Sequence, residues 1–395
     1  MKFARFWNWL LPAERPSAPN KRLLLSMQTL EERAVPAIFA VGAGNGTTEA
    51  IVRVYDDTGA LKATFKPFPM GNGTFFRVPI SVAVGDVNND GVDDVIVAAG
   101  FGGGPHVKVY DGASINTISD PNALANPNVL QSFYAFEPTF IGGVNVAAGD
   151  VNGDGFVDIV CGAGPSGGPK VVVYSGSDHS QLMNFYPFET TFAGGVNVAA
   201  GDVGGDQLTA EIVVGAGNTG GPKVAAYNYV ANANPTLTAQ RLTEFFAYDP
   251  NTTNGVNVGV APVTNNRDFT NNLYGDIITG SGPGVAPEVK VFRLLDAVND
   301  PNTGQPAWVY FQAGDLTPYA SSFTGGVHVG GVFHGAGGLA DFMTGPAGLG
   351  GPDLKIWNQV QIGDQVTYIP SQRLNFFPFV ADYSGGISLS GSVGP

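Results

Sequence analysis

The chain has 395 residues, and its 33 acidic against 19 basic side chains leave a formal net charge of -14. That balance excludes a nucleic-acid partner, because phosphate binding needs a basic face that is missing here. At 44% hydrophobic residues the chain is too apolar for wholesale disorder, its one cysteine, Cys161, excludes an intramolecular disulfide, and no apolar run reaches transmembrane length.

Residues 1–36 differ in kind from the rest of the chain. Lys2, Arg5, Arg15, Lys21, Arg22 and Arg33 surround short apolar stretches at 6–11 and 23–27. The segment has the makings of a targeting or export-associated leader without the layout of a standard signal peptide, and is expected to be largely disordered. The folded domain is expected to run over 37–395, punctuated throughout by Gly and Pro.

From Ala37 onward the sequence repeats. The first copy runs from Gly42-Ala-Gly44 to Tyr55, and the aromatic closing each copy is Tyr55, Tyr110, Tyr174, Tyr227, Phe292 and Trp357, which makes six copies. Self-similarity at such a period marks solenoids and propellers. Copies after the first begin at Ile80, Val144, Val196, Val256 and Val327, far enough apart for four short strands each. In the clearest unit the strands are read as 144–148, 156–161, 169–174 and 182–188, and no stretch after 36 shows a helical period. The expected fold is all-β: a six-bladed β-propeller of four-stranded antiparallel blades. The first copy lacks its opening strand, while Gly385 to Ser390 reads as an isolated one. The C-terminal strand is therefore expected to close the first blade and remove an open edge.

Two nine-residue loops come directly after the opening strands that start at Ile80 and Val144. Asp86, Asn88, Asp90 and Asp94 with the carbonyl of Val92, and Asp150, Asn152, Asp154 and Asp158 with that of Phe156, offer oxygen at positions one, three, five, seven and nine around a glycine at six. Hard divalent cations need this oxygen-rich, sharply turned layout, and three converging carboxylates repel one another without a cation. Ca2+ is expected at both. The next loop offers Asp202, Asp206 and Glu211 for a third, weaker site, because Gly204 replaces the third-position ligand, Gln207 the glycine, and one extra residue shifts the last acid. Of the two loops after it, one has Pro262 where the first Asp belongs and the other shortens to 332–338, so neither is expected to bind.

Other side chains recur in register. Phe133 and Phe136, Phe185 and Phe188, Phe245 and Tyr248, and Phe376 and Phe379 share a spacing of three and are expected to fill the wedges between blades. The second residue of each opening strand is polar: Ser81, Asn145, Asn197, Asn257, His328 and Ser388. This ring either lines the mouth of an axial channel or satisfies backbone groups of neighbouring turns, and the cost of burying polar atoms favours the second.

The acidic loop with its Gly-Gly-Pro strand resembles the FG-GAP repeat, the calcium-loop propeller unit of integrin alpha chains and many bacterial surface proteins. The resemblance covers 37–395 and implies calcium held between strands one and two. Integrin propellers have seven blades, so six copies make a relative in unit and not in whole architecture. Leu30 to Ala37 also resembles a short N-terminal tag on exported proteins of planctomycete bacteria, which implies an extracellular or cell-surface protein.

Catalytic signals are thin. His106, His179, His328 and His334 have no metal-binding spacing, and the Gly100 to Pro105 run joins two strands, without the helix whose dipole would bind phosphate. The expected function is an exported, non-enzymatic interaction module with structural calcium and a protein or glycan ligand. The alternative is a polysaccharide lyase or hydrolase on the same propeller, for which the sequence nominates no catalytic set.

Overall fold

β-Branched runs separated by Gly, Pro and Asx turns become short strands in the computed structural model, which describes residues 37–45, 47–70, 76–204, 208–232, 234–264, 273–299, 306–332, 339–362, 365–380 and 383–392. Blade 2 contains Ile80–Gly85, Asp94–Ala99, His106–Tyr110 and Val129–Tyr134, here called strands one to four. Blade 3 contains Val144–Gly149, Asp158–Ala163, Val171–Tyr174 and Gln181–Phe185. Blade 4 contains Val196–Gly201, Glu211–Ala216, Lys223–Tyr229 and Ala239–Phe246. Blade 5 contains Val256–Ala261, Asp276–Ser281, Val289–Asn299 and Pro306–Leu316, and blade 6 contains Val327–Val332, Asp341–Pro346, Leu354–Ile362 and Gln365–Phe376. Blade 1 joins the two ends of the folded chain. Its strands two to four are Ile38–Ala43, Ile51–Asp56 and Leu61–Phe65, and its strand one is Ser388–Gly391, paired antiparallel from Phe39 opposite Gly391 to Gly42 opposite Ser388.

This is a six-bladed β-propeller closed by its C-terminal strand. The six strands one touch their neighbours in an unbroken circle about the axis. The core is divided the same way, into six apolar wedges, each made by two adjacent blades. Phe133 and Phe136 pack in the wedge between blades 2 and 3, Phe185 and Phe188 between 3 and 4, Phe245 and Tyr248 between 4 and 5, and Phe376 and Phe379 between 6 and 1.

Three details differ from the expectations set by the sequence. The strands of blade 3 have other bounds: strand two starts at Asp158, so Phe156 and Val157 belong to the loop before it, strand three starts at Val171, and strand four ends at Phe185, leaving Phe188 beyond it. A two-residue strand, Leu124–Ala125, adds to the outer edge of blade 1 in parallel, although its sequence lies between strands three and four of blade 2. A single turn of helix, Gly112–Ile115, is capped by Asp111, whose carboxylate accepts from Ala113 N at 2.9 Å, and a 3-10 turn spans Pro235–Leu237. Both are too short to leave a helical period in the sequence.

Adjacent blades are tied by hydrogen bonds one repeat apart. At the axis, Asn145, Asn197 and Asn257 donate through Nδ2 to the carbonyls of Val196, Val256 and Val327 at 2.7, 2.8 and 2.8 Å, each the first residue of the next strand one. His328 Nδ1 donates to Ile387 O at 2.7 Å in the same role, and burial lowers its basicity, keeping the ring neutral. The polar ring is thus a set of inter-blade staples. It is broken at the closure, where Ser388 Oγ is buried with no hydrogen-bond partner among the described residues.

A second ring lies further out. The register of strands three and four slips at the repeated aromatic in every blade, between Val54 and Tyr55, Val109 and Tyr110, Val173 and Tyr174, Ala226 and Tyr227, Val291 and Phe292, and Lys355 and Trp357. A bulge re-aims a side chain. Tyr174 and Tyr227 donate to the carbonyls of Ala135 and Pro187 in the preceding blade at 2.9 and 3.1 Å, and Tyr110 and Tyr55 bond Pro67 O and Pro378 O in the same way. Phe292 has no donor and Trp357 spends its indole N–H on Thr344 Oγ1 at 2.9 Å, and in these two blades Lys290 and Lys355 reach Ala247 O and Pro318 O at 3.2 and 2.8 Å.

Candidate metal centres

The two acidic loops occupy the turns from strand one to strand two of blades 2 and 3 and share one construction. Asp86 accepts from Asp90 N at 3.1 Å and Gly91 N at 2.8 Å, and Asn88 Oδ1 accepts from Asp90 N at 3.0 Å. Asn88 Nδ2 reaches Asp90 Oδ2 at 3.0 Å, while Asp90 Oδ1 accepts from Val92 N at 2.9 Å. Blade 3 repeats this almost bond for bond. Asp150 accepts from Asp154 N and Gly155 N, Asn152 brackets Asp154 through both amide atoms, and Asp154 Oδ1 accepts from Phe156 N at 2.9 Å. None of these bonds uses the carbonyl of Val92 or Phe156.

Gly91 and Gly155 sit at φ 83° and 87°, the left-handed region that the sharp turn requires and that glycine enters without strain. A side chain at Gly91 would meet nothing within 4 Å, so that side of the loop is open. The carbonyl of the first loop residue is held by the next blade: Val157 N donates to Asp86 O at 3.1 Å and Ala210 N to Asp150 O at 2.6 Å. The same bond holds Asp202 O and Pro262 O, from Gly275 N and Ala340 N. This tie needs only a backbone oxygen, which is why a proline can replace the aspartate without disturbing the frame.

The ninth-position acids have a second role. Asp94 and Asp158 are fully buried at the start of strand two. Asp94 accepts from Val87 N at 3.0 Å and Gly112 N at 2.8 Å, and Asp158 from Val151 N at 2.8 Å and Gly176 N at 3.1 Å. Each carboxylate therefore fastens its own loop to the turn after strand three. Burial pushes both acids up to about 7 against the pull of those N–H groups, and the neighbouring loop carboxylates push the same way. Among the described residues no three His, Cys, Asp or Glu side chains are grouped closely enough to hold a metal ion by themselves. Still, the donors are all oxygen, each carboxylate keeps lone pairs beyond those its N–H partners use, and the loop is open on one side. The residues fit a hard cation.

In blade 4, Glu211 takes the ninth-position role, its Oε2 accepting from Val203 N and Gly204 N at 2.9 and 2.7 Å. A Cβ at Gly204 would lie 2.7 Å from Glu211 Oε1, so the glycine that removes a ligand also makes room for the longer acid. Asp202 is half-buried, and Asp206 lies outside the described residues, as do His334 and residues 1–36. Sequence reasoning missed Asp276. It begins strand two of blade 5, fully buried, and accepts from Thr264 N and Thr264 Oγ1, both at 2.6 Å. The available signal was position: strand two begins with an acid in blades 2 to 6, at Asp94, Asp158, Glu211, Asp276 and Asp341.

Comparison with known proteins places both loops inside recognised units: residues 78–115 and 142–177 match the FG-GAP repeat. The chain therefore carries FG-GAP repeats. It is 34% identical to integrin alpha-8 of Gallus gallus over 26% of this chain, a match spanning 11% of that relative's length. Among solved structures, an Agrocybe aegerita lectin described by its specific recognition of non-reducing terminal N-acetylglucosamine aligns at a TM-score of 0.43 and 14% identity, covering 91% of this chain and 86% of the lectin. A Bacillus licheniformis rhamnogalacturonan lyase aligns at 0.37 and 12%, covering 85% and 78%. No helix among the described residues is long and apolar enough to cross a membrane.

Proposed function

We propose that this propeller is an exported calcium-binding module that acts without catalysis, by presenting its loop-bearing face to a protein or glycan. The observation that carries the calcium reading is the twofold recurrence of one oxygen arrangement in blades 2 and 3. Asp86, Asn88, Asp90, Asp94 and the Val92 carbonyl would hold one ion, and Asp150, Asn152, Asp154, Asp158 and the Phe156 carbonyl a second. Asp202 and Glu211, with Asp206, would form a weaker third. Bound calcium supplies the positive charge that offsets repulsion among these carboxylates. Solvent-facing loops of this charge suit millimolar calcium, which supports placing the protein at the cell surface or beyond.

The non-enzymatic part is supported by how the scaffold uses its reactive groups. His106 packs against Phe68 and Tyr134 and bonds Ser132, and His328 is an axial staple. The axial cavity of about 60 Å³ is lined mainly by valine, alanine and glycine.

Calorimetric titration of the full chain tests the metal assignment: at least two calcium ions should bind, and fewer than two would refute it. Asp86→Ala combined with Asp150→Ala should abolish both sites and reproduce the effect of a chelator on the melting temperature. At calcium tenfold above Kd, each lost site removes about 1.4 kcal/mol.

A further inference from the structure

A groove of about 340 Å³ runs between strand four of blade 2 and the turn after strand three of blade 3. Its walls are Gln131 and Phe133 on one side and Gly176, Ser177, Asp178 and His179 on the other. The volume falls at the small end of the range for ligand pockets, roughly 300–1,000 Å³.

His179 stands in an unusual place. Its φ of 62° is left-handed, and in blade 1 the residue two before strand four is Gly59 at φ 84°. A side chain at such a corner costs about 1 kcal/mol. The ring is held firmly there, stacked on Tyr174 at 5.1 Å and edge-on to Phe133 at 4.2 Å. Gln131 fixes its tautomer. The amide Nε2 donates to Gly176 O at 3.3 Å, which leaves Oε1 facing His179 Nδ1 at 3.1 Å, and an oxygen acceptor there requires Nδ1 to carry the proton. Nε2 of the neutral ring is then an acceptor, with no partner among the described residues. Burial, which lowers the basicity of this imidazole, favours the same neutral form.

Beside it, the exposed Asp178 contributes a carboxylate and Ser177 a hydroxyl. The groove thus pairs acceptors with a hydroxyl and one aromatic wall, and no lysine or arginine lines it. Such a lining suits a ligand rich in O–H donors and repels an anion. Its outer wall also hangs from the blade 3 metal loop. Gly176 N donates to Asp158 Oδ1 at 3.1 Å, and Ser177 Oγ to Asp154 Oδ2 at 3.3 Å.

We propose that this groove binds a neutral saccharide through Ser177, Asp178 and His179, and that calcium in the adjacent loop sets the position of the wall carrying them. The proposal rests on the glycan branch of the function above.

The test is binding of the full chain to immobilised neutral hexasaccharides from β-glucan, chitin, xylan and mannan, with polygalacturonate as the acidic control, in calcium and in chelator. Asp178→Ala alters an exposed side chain, and His179→Gly restores the residue that blade 1 uses at this corner. At least one neutral hexasaccharide should bind in calcium and weaken at least tenfold in both variants and in chelator, while both variants keep the wild-type calcium stoichiometry and a cooperative melting transition. Absence of any neutral ligand, or unchanged affinity in both variants, overturns the groove. Equal affinity in chelator overturns the coupling. Two bound calcium ions without a bound sugar would leave the metal assignment standing and this site refuted; a sugar lost in both variants without calcium binding would do the reverse.

Discussion

Asp276 separates the scaffold role of the ninth-position acid from any metal, because blade 5 has Pro262 where a calcium loop has its first aspartate. Burial pushes Asp276 up to about 7 from an ordinary 3.8, against the pull of Thr264 and the nearby Arg293. The folded state thus binds this proton more tightly than the unfolded chain. The stability it contributes is complete below pH 4 and is lost as pH rises through about 7. At about 1.36 kcal/mol per pH unit, integrating the two titrations gives a loss of about 2 to 3 kcal/mol between pH 5 and pH 8. Asp276→Asn keeps the shape and an acceptor for Thr264 N while removing the titration. Urea unfolding of both proteins at pH 5 and pH 8, in constant calcium, should show the variant gaining about 2 to 3 kcal/mol on the wild type over that interval. A difference that stays flat, or that moves in favour of the wild type, would mean that Thr264 and Arg293, 3.7 Å away, hold the carboxylate ionised in the fold.

The ties between blades lead to two more expected outcomes. Asn197→Ala removes the staple to Val256 O and should destabilise by about 1 to 2 kcal/mol, read by chemical denaturation, with little change in calcium affinity. Deleting Ile387 to Ser392 removes the closing strand together with the buried side chains of Ile387 and Leu389, each contributing about 1.5–3 kcal/mol. The melting temperature should fall well below that of the full chain, and an unchanged value would refute closure.

Much of the fold was legible because a propeller is periodic. Each copy must contain its own strands and turns, so the repeated aromatics, the opening strands from Ile80 to Val327 and the orphan strand near the end sufficed to count six blades and to pair the ends. The acidic loops were legible for the same reason: their oxygens are spaced within nine residues, and local spacing is what a sequence displays directly. Strand boundaries slipped in blade 3 at Phe156 and at Phe188, where apolar side chains lie outside the strands that start at Asp158 and end at Phe185. The strand at Leu124 could not be foreseen, since it is defined by the edge of a blade other than its own.

The sequence alone determined the repeat, the blade number, the closure and which loops carry the oxygen set, because each is displayed by local spacing within a copy or by lining the copies up against one another. Only the tertiary structure decided what each repeated side chain touches. The asparagines near the axis, the bulged tyrosines and the carbonyl of each loop's first residue all find partners one blade away, and His179 acquires its groove only when blade 2 comes alongside. The same holds for the acid at the start of strand two, which reads as a metal ligand in three blades, at Asp94, Asp158 and Glu211, but is a buried fastener in four, Asp276 among them. Contacts made across a wedge depend on two copies at once, and no pattern within a single copy specifies them.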